Sequence, residues 1–239
     1  MERVAGVDGC RGGWFVVFAN ANTGKITDFQ FVKKISTLLQ CSHKLSVIAV
    51  DIPIGLLSAA KAGGRNCDIL ARKLLGHPRS SSVFSPPVRS VLNYPDNYLN
   101  ANFANRKSSN KKIGISKQCF GILPKIIEVD RLVNPELQNI IKEVHPELCF
   151  WKMGGETPSL NSKRISKGRE ERINLLSSVG MNGVPDVFDN YPRSHVYPDD
   201  IIDAAAACWT AIRIHKGDAI RLPTLPERDA NSLLMENWV

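Results

Sequence analysis

Residues 3–8 form a short apolar run that closes on Asp8, and Gly9, Gly12 and Gly13 follow at once. This pattern predicts a buried strand and a tight turn. Residues 14–19 (WFVVFA) predict a second strand rich in β-formers, residues 20–24 (NANTG) a turn, and residues 27–32 a third strand. The three together predict an antiparallel meander. Apolar positions 35, 38 and 39 predict a short helix over 35–41. Residues 47–51 (VIAVD) form an uninterrupted apolar run that again ends in an acid, which suits a strand buried on both faces.

Beyond residue 56 the alternation fades. Residues 67–75 and 116–132 have helical character, the second with a break or kink at Pro124, and residues 79–87 (RSSSVFSPP) read as a loop. The stretch from about 56 to 139 therefore reads as a largely helical insertion on the sheet. Residues 140–150 predict a short strand interrupted by Pro146, and residues 166–179 a helix ending near Gly180. Apolar positions 201, 202, 205, 208, 209 and 212 mark the clearest helix, residues 199–215. The expectation is one α/β domain over residues 1–239, its first three strands antiparallel and the later ones parallel.

Composition adds limits. The chain has 239 residues, 43% hydrophobic and 23% charged, which is ordinary for a globular protein and excludes general disorder. No apolar stretch approaches the roughly 20 residues that span a bilayer, so no membrane is expected. The start of the chain does not read as a signal peptide, and the six cysteines form no CxxC pair; free thiols in a reducing cytoplasm are expected. The net charge of +8 favours a polyanionic partner, with solvated surface as the plainer reading. Oligomeric state stays open, a homodimer included.

The chemistry lies in the acids. Asp8 and Asp51 both end apolar strands, where a carboxylate is costly without an exposed strand end or a partner. Asp200 and Asp203, three apart, share a helix face that continues through the small residues Ala206, Ala207 and Thr210. Such a face lets the helix press against a sheet carrying Asp8. Capping accounts for Asp199, read as the N-cap, and for Asp200, but poorly for Asp203. Convergence of the four acids would give an oxygen-ligand site for Mg²⁺ or Mn²⁺. Two such ions activate water and stabilise a leaving oxygen in phosphodiester hydrolysis. Glu143, near His145 and Glu147, is a further candidate, with a surface loop as its plainer reading.

Several groups are candidates for holding phosphate. Arg11 stands beside the glycine turn, whose N–H groups form either a phosphate cradle or a plain turn. Arg65, Arg72, Arg79, Ser81 and Ser82 lie in the insertion, and Asp68–Arg72 can instead make a helix salt bridge. Gln118 and Lys125 add polar contacts. Residues 105–118 carry Arg106, Lys107, Lys111, Lys112 and Lys117 without an acid, and residues 162–172 carry five basic and two acidic residues. The histidines at 43, 77, 145, 195 and 215 form no HxxxH or HxH pair, and there is no GxSxG elbow and no GKS or GKT. Zinc, serine-hydrolase and Walker-loop chemistry are therefore not expected.

The order of strand acids and helix acids resembles the ribonuclease H-like superfamily, its RuvC-like resolvase branch in particular. More closely, the chain resembles the DUF429 family, whose members are predicted to be RNase H-like nucleases. The resemblance rests on residues 4–14 (VAGVDGCRGGW), 48–56 (IAVDIPIGL), 65–76 (RNCDILARKLLG), 79–89 (RSSSVFSPPVR), 116–130 (SKQCFGILPKIIEVD), 143–150 (EVHPELCF), 166–172 (SKGREER), 199–211 (DDIIDAAAACWTA) and 233–239 (LLMENWV). It implies an RNase H-like mixed sheet flanked by helices. Asp8 would be the first-strand acid, Asp51 would stand where resolvases usually carry Glu, and Asp200 and Asp203 would be the helix pair. The implied activity is metal-dependent cleavage of DNA or RNA. The alternatives are a small-molecule phosphohydrolase or nucleotide-binding enzyme, which a closed pocket lined by Arg79, Ser81 and Ser82 would favour, and a non-catalytic nucleic-acid-binding protein.

Overall fold

The computed structural model describes residues 2–40 and 44–239. Three strands, β1 (Arg3–Cys10), β2 (Gly13–Asn20) and β3 (Ile26–Val32), form the antiparallel meander. A 3₁₀ turn at Ile35–Gln40 follows; Cys41, the expected end of the short helix, and His43 lie outside the described residues. The next strand, β4 (Leu45–Val50), runs parallel to β1.

The insertion carries helices α1 (Asn66–Arg79), α2 (Tyr98–Lys107), α3 (Lys117–Gly121) and α4 (Leu123–Leu132), with no strand among its described residues. Pro124 occupies the first turn of α4, where its missing N–H is harmless, so the expected long helix divides into two. Strand β5 (Ile141–Glu143) then joins parallel to β4 and completes a five-stranded mixed sheet in the order β3-β2-β1-β4-β5.

Pro146 starts helix α5 (Pro146–Met153) rather than interrupting a strand. Helices α6 (Ser166–Ser178) and α7 (Pro198–Lys216) follow. The chain closes with a hairpin, β6 (Arg221–Arg228) and β7 (Leu234–Trp238), that the hydrophobic pattern did not predict. Pro223 and Pro226 within β6 hide it, because proline argues against a strand interior.

Strand alternation divides the core into two layers. Val4, Val17, Val47 and Ala49 pack with α5 and α7 on one face of the sheet. Ala5, Val7, Val16, Ile48 and Val50 pack with Ile126 and Val129 of α4 on the other. All eight residues of β2 are buried, as its unbroken apolar sequence requires. No helix among the described residues is long and apolar enough to cross a membrane. Cys10, Cys67, Cys119, Cys149 and Cys208 are buried free thiols.

Candidate functional site

Parallel pairing places Val7 opposite Val50, so the next residues, Asp8 and Asp51, stand side by side at the carboxyl ends of β1 and β4. The Asp51 N–H donates to the Val7 carbonyl (3.0 Å), and the Gly9 N–H donates to Asp8 Oδ1 (2.9 Å). Strand carboxyl ends are where α/β sheets usually place their ligands.

The third acid comes from α7, through an unusually close helix–strand approach. A Cβ built on Gly6 would lie 2.0 Å from the Cys208 backbone nitrogen and 2.3 Å from the Ala204 carbonyl oxygen. Only glycine at position 6, facing the alanine-rich surface of α7, permits that contact. The approach carries Asp203, just before Ala204, to the acids of the sheet. Asp203 is 3% exposed. Its Oδ2 accepts from Lys163 Nζ, and its buried Oδ1 has no partner among the described residues. Asp200 is turned differently: its Oδ2 accepts from the Tyr197 N–H (2.7 Å) and caps the helix. Tyr197, and not Asp199, is therefore the N-cap.

These acids repel one another in a poorly hydrated place. Burial holds the Asp8 carboxyl well above the usual carboxylate range, and Asp51, Asp203 and Asp200 add to the effect. Burial pushes Asp51 up to about 6, opposed by His145 and reinforced by Asp203. Burial also lifts Asp200 to about 6, against the Tyr197 N–H. Lys163 is raised in turn, chiefly by Asp203. Sequence reasoning placed Lys163 only within a basic run; its role depends on where the loop before α6 folds.

Stability should therefore fall as pH rises through this range. A carboxyl with a folded value near 6 and an unfolded value of about 3.9 binds protons more tightly when folded. Wild-type stability then declines between about pH 4 and pH 6, by at most about 3 kcal/mol per group, and levels off above. Asp51→Asn, which mimics the protonated form, should gain on wild type across that window and hold the gain at pH 7. Paired urea titrations at several pH values check this; a constant difference between the two proteins would contradict it.

Glu143 and Arg65 do not match their expected roles. Arg65 Nη1 and Nη2 donate to the two Glu143 oxygens (2.8 and 2.5 Å), and Arg65 Nε and Nη2 also reach Asp68. The Ile54 N–H donates to Glu143 as well (2.6 Å). With both side chains buried and their polar atoms engaged, they form a structural ion cluster rather than a metal ligand and a phosphate clamp. Arg72 is likewise committed, donating to the Val83 carbonyl (2.7 Å) and to that of Gly63; Asp68 pairs with Arg65 and not with Arg72. Lys125 turns onto the Gly13 carbonyl and lies 4.4 Å from the Trp14 ring centre.

The glycine turn is a packing device. A Cβ on Gly12 would meet His195 at 2.4 Å, and one on Gly13 would meet the Val32 carbonyl at 2.2 Å. Arg11 is exposed on this turn and lines neither of the cavities beside the acids.

Two cavities meet at the acids. The outer one, about 330 Å³, is lined by Asp51, Asp203, Lys163, Arg164, Arg79, Ser81 and Ser82. The inner one, about 160 Å³, has Asp8 and Asp51 at one side and Val83, Phe84, Pro86 and Ile122 among its walls. Asp51, Phe84, Gln118 and His145 border both. His145 Nδ1 accepts from the Glu147 N–H (3.2 Å), which leaves its proton on Nε2. Burial raises the Cys10 thiol to about 11, so it stays protonated at neutral pH and is no nucleophile.

A family model described as "Protein of unknown function (DUF429)" matches residues 6–228. The chain belongs to the DUF429 family. No curated protein and no solved structure matches it. The DUF429 match spans every residue lining the two cavities except Asn237, which lies in β7 beyond the matched range. In this DUF429 chain, no group of three or more His, Cys, Asp or Glu among the described residues is placed to hold a metal ion. The donor set still fits a hard divalent cation in kind. It is all oxygen, it is mutually repulsive, and one buried Asp203 oxygen lacks a partner among the described residues. Lys163 makes an ion pair with Asp203.

Proposed function

We propose that this DUF429 protein is a metal-dependent phosphodiesterase of RNase H-like type acting on nucleic acid. The observation that carries the reading is the meeting of Asp8 and Asp51, at adjacent parallel strand ends, with Asp203 from the helix pressed on Gly6. The strand order β3-β2-β1-β4-β5, with its antiparallel meander, supports the RNase H-like part. Asp8, Asp51 and Asp203, with the uncommitted oxygen of Asp200, would hold Mg²⁺ or Mn²⁺. When bound, such ions supply an activated water and stabilise the leaving oxygen.

The chain's own groups have distinct tasks. Arg79, one of whose Nη groups donates to the Leu160 carbonyl (3.3 Å), and Arg164 stand on the outer cavity where a phosphate would lie, and the Ser82 hydroxyl would add a hydrogen bond, whereas that of Ser81 donates to the Pro78 carbonyl (3.1 Å). Lys163, paired with Asp203, would turn to the phosphate once Asp203 is otherwise engaged. His145, its Nε2 N–H directed at the Ser82 carbonyl (3.3 Å), is held at the boundary of the two cavities.

A second reading, hydrolysis of a small phosphoester, is favoured by one observation: Arg79, Ser81 and Ser82 line a bounded cavity. The deciding experiment is a calorimetric Mn²⁺ titration of wild type and Asp8→Asn, followed by assays on labelled single-stranded DNA and RNA and on nucleoside monophosphates. Saturable binding in wild type, lost in the variant, is expected. Turnover should fall about a thousandfold or more with Asp8→Asn, while the variant still melts cooperatively. Undiminished turnover in folded Asp8→Asn would remove the carboxylate mechanism.

A further inference from the structure

The inner cavity has no task in holding phosphate. Ile52, Pro53, Val83, Phe84, Pro86 and Ile122 give it an apolar wall, and the rest of its lining includes Asp8, Asp51, Lys125, His145 and the buried Arg65–Glu143 pair. Its polar edge carries Gln118, whose side-chain amide has no hydrogen-bond partner among the described residues. Phe84 is half-buried: it packs against the cluster around Val88 and Leu123, and it borders both cavities. A slot with an apolar wall, an aromatic edge and the Gln118 amide suits a flat heteroaromatic ring. Stacking would hold its faces, and the amide, which both donates and accepts, would read its edge.

Size narrows the ligand further. About 160 Å³ is below the roughly 300–1,000 Å³ of pockets that enclose drug-sized ligands, so it suits one ring system and not a stretch of polymer. The slot adjoins the cationic outer cavity through Asp51, Phe84, Gln118 and His145. A ring in the inner cavity would therefore place an attached phosphate beside Asp51. A base stacked and paired inside a duplex cannot enter without leaving the helix. Of the two basic segments, residues 162–172 reach this cleft with Lys163 and Arg164.

We infer that the inner cavity receives a single unpaired nucleobase, with Phe84 as its stacking surface and Gln118 as its polar reader. The substrate is then a single-stranded or terminal nucleotide and not the interior of a duplex. The inference rests on the phosphoester reading of the adjoining acids, because that reading puts a phosphate in the outer cavity.

The test is fluorescence anisotropy on three labelled probes of equal length, with Mn²⁺ present. They are a mixed-sequence single strand, a strand built only of stable tetrahydrofuran abasic units, and a blunt duplex. Wild type should bind the single strand roughly tenfold or more tightly than the abasic strand, with the duplex no better than the abasic probe. Phe84→Ala should close most of that gap. Gln118→Ala, an exposed position whose change leaves the packing intact, should narrow it.

Equal binding of normal and abasic strands, or a gap unchanged in both variants, overturns the inference. If cleavage dependent on Asp8 persists in that case, the nuclease reading survives alone. Base-dependent binding that both variants weaken, without cleavage of any strand, leaves the base pocket standing and removes the hydrolytic reading. Absence of binding to every probe removes both.

Discussion

Gly6→Ala should lower stability by about 3 kcal/mol or more, a fall of roughly 6–12 °C in melting temperature. The added methyl would sit 2.0 Å from a backbone nitrogen and 2.3 Å from a backbone oxygen of α7. Neither atom belongs to a side chain that can rotate away, so the helix itself must shift. Ordinary overpacking costs about 1–3 kcal/mol because neighbouring side chains yield; a backbone clash in a buried layer belongs at or above that range. The same shift would draw Asp203 from Asp8 and Asp51, so under the proposed function Mn²⁺ affinity should fall together with stability. Gly121→Ala is a suitable control, since its Cβ would meet nothing within 4 Å. Thermal melts and urea titrations of the three proteins decide the matter. A Gly6→Ala protein melting within a degree or two of wild type would disprove the close approach.

Arg65→Leu should cost about 3–5 kcal/mol, the usual penalty for removing one member of a buried ion pair. Arg65 lies between Asp68 and Glu143 and also donates to the Ile54 and Gly55 carbonyls. Its removal strands two buried carboxylates and two carbonyl oxygens in a place leucine cannot solvate. Burial already holds the Glu143 carboxyl above its ordinary range, with the Arg65 charge opposing that effect. Without the guanidinium, Glu143 would be driven to take up a proton. The deficit relative to wild type should therefore be largest at neutral pH and shrink in acid. Urea unfolding at two pH values measures it. A loss under about 1 kcal/mol, coupled with a large loss of substrate binding, would instead return Arg65 to the phosphate-binding role that the sequence suggested.

The strands and their acids were legible because a strand buried on both faces leaves an unbroken apolar run, and a carboxylate at its end stands out. The α7 stripe was legible for a similar reason, and its small residues foretold the close packing on the sheet. The partner surface was not foretold: Gly6 reads as one more residue of an apolar strand until the helix is laid across it. Pairings made at long sequence distance left no local trace. Arg65 and Glu143 are joined by folding alone, and Lys163 meets Asp203 only because of the path taken before α6. Asp200 shows the limit of helical spacing. It shares a face with Asp203, as three-residue spacing requires, yet its carboxylate turns back to the Tyr197 N–H. The C-terminal hairpin was hidden by its prolines, and α5 by a proline that begins a helix rather than breaking a strand.

The acids of the cleft are drawn from opposite ends of the chain: Asp8 from the first strand and Asp203 from the last helix. During synthesis, the polypeptide emerging from a ribosome has its meander and its insertion long before α7 exists. Until that helix is made and seated on Gly6, Asp8 and Asp51 lack their third carboxylate. Under the proposed function, the growing chain is inert beside the message that encodes it, and competence arrives in a single late docking step.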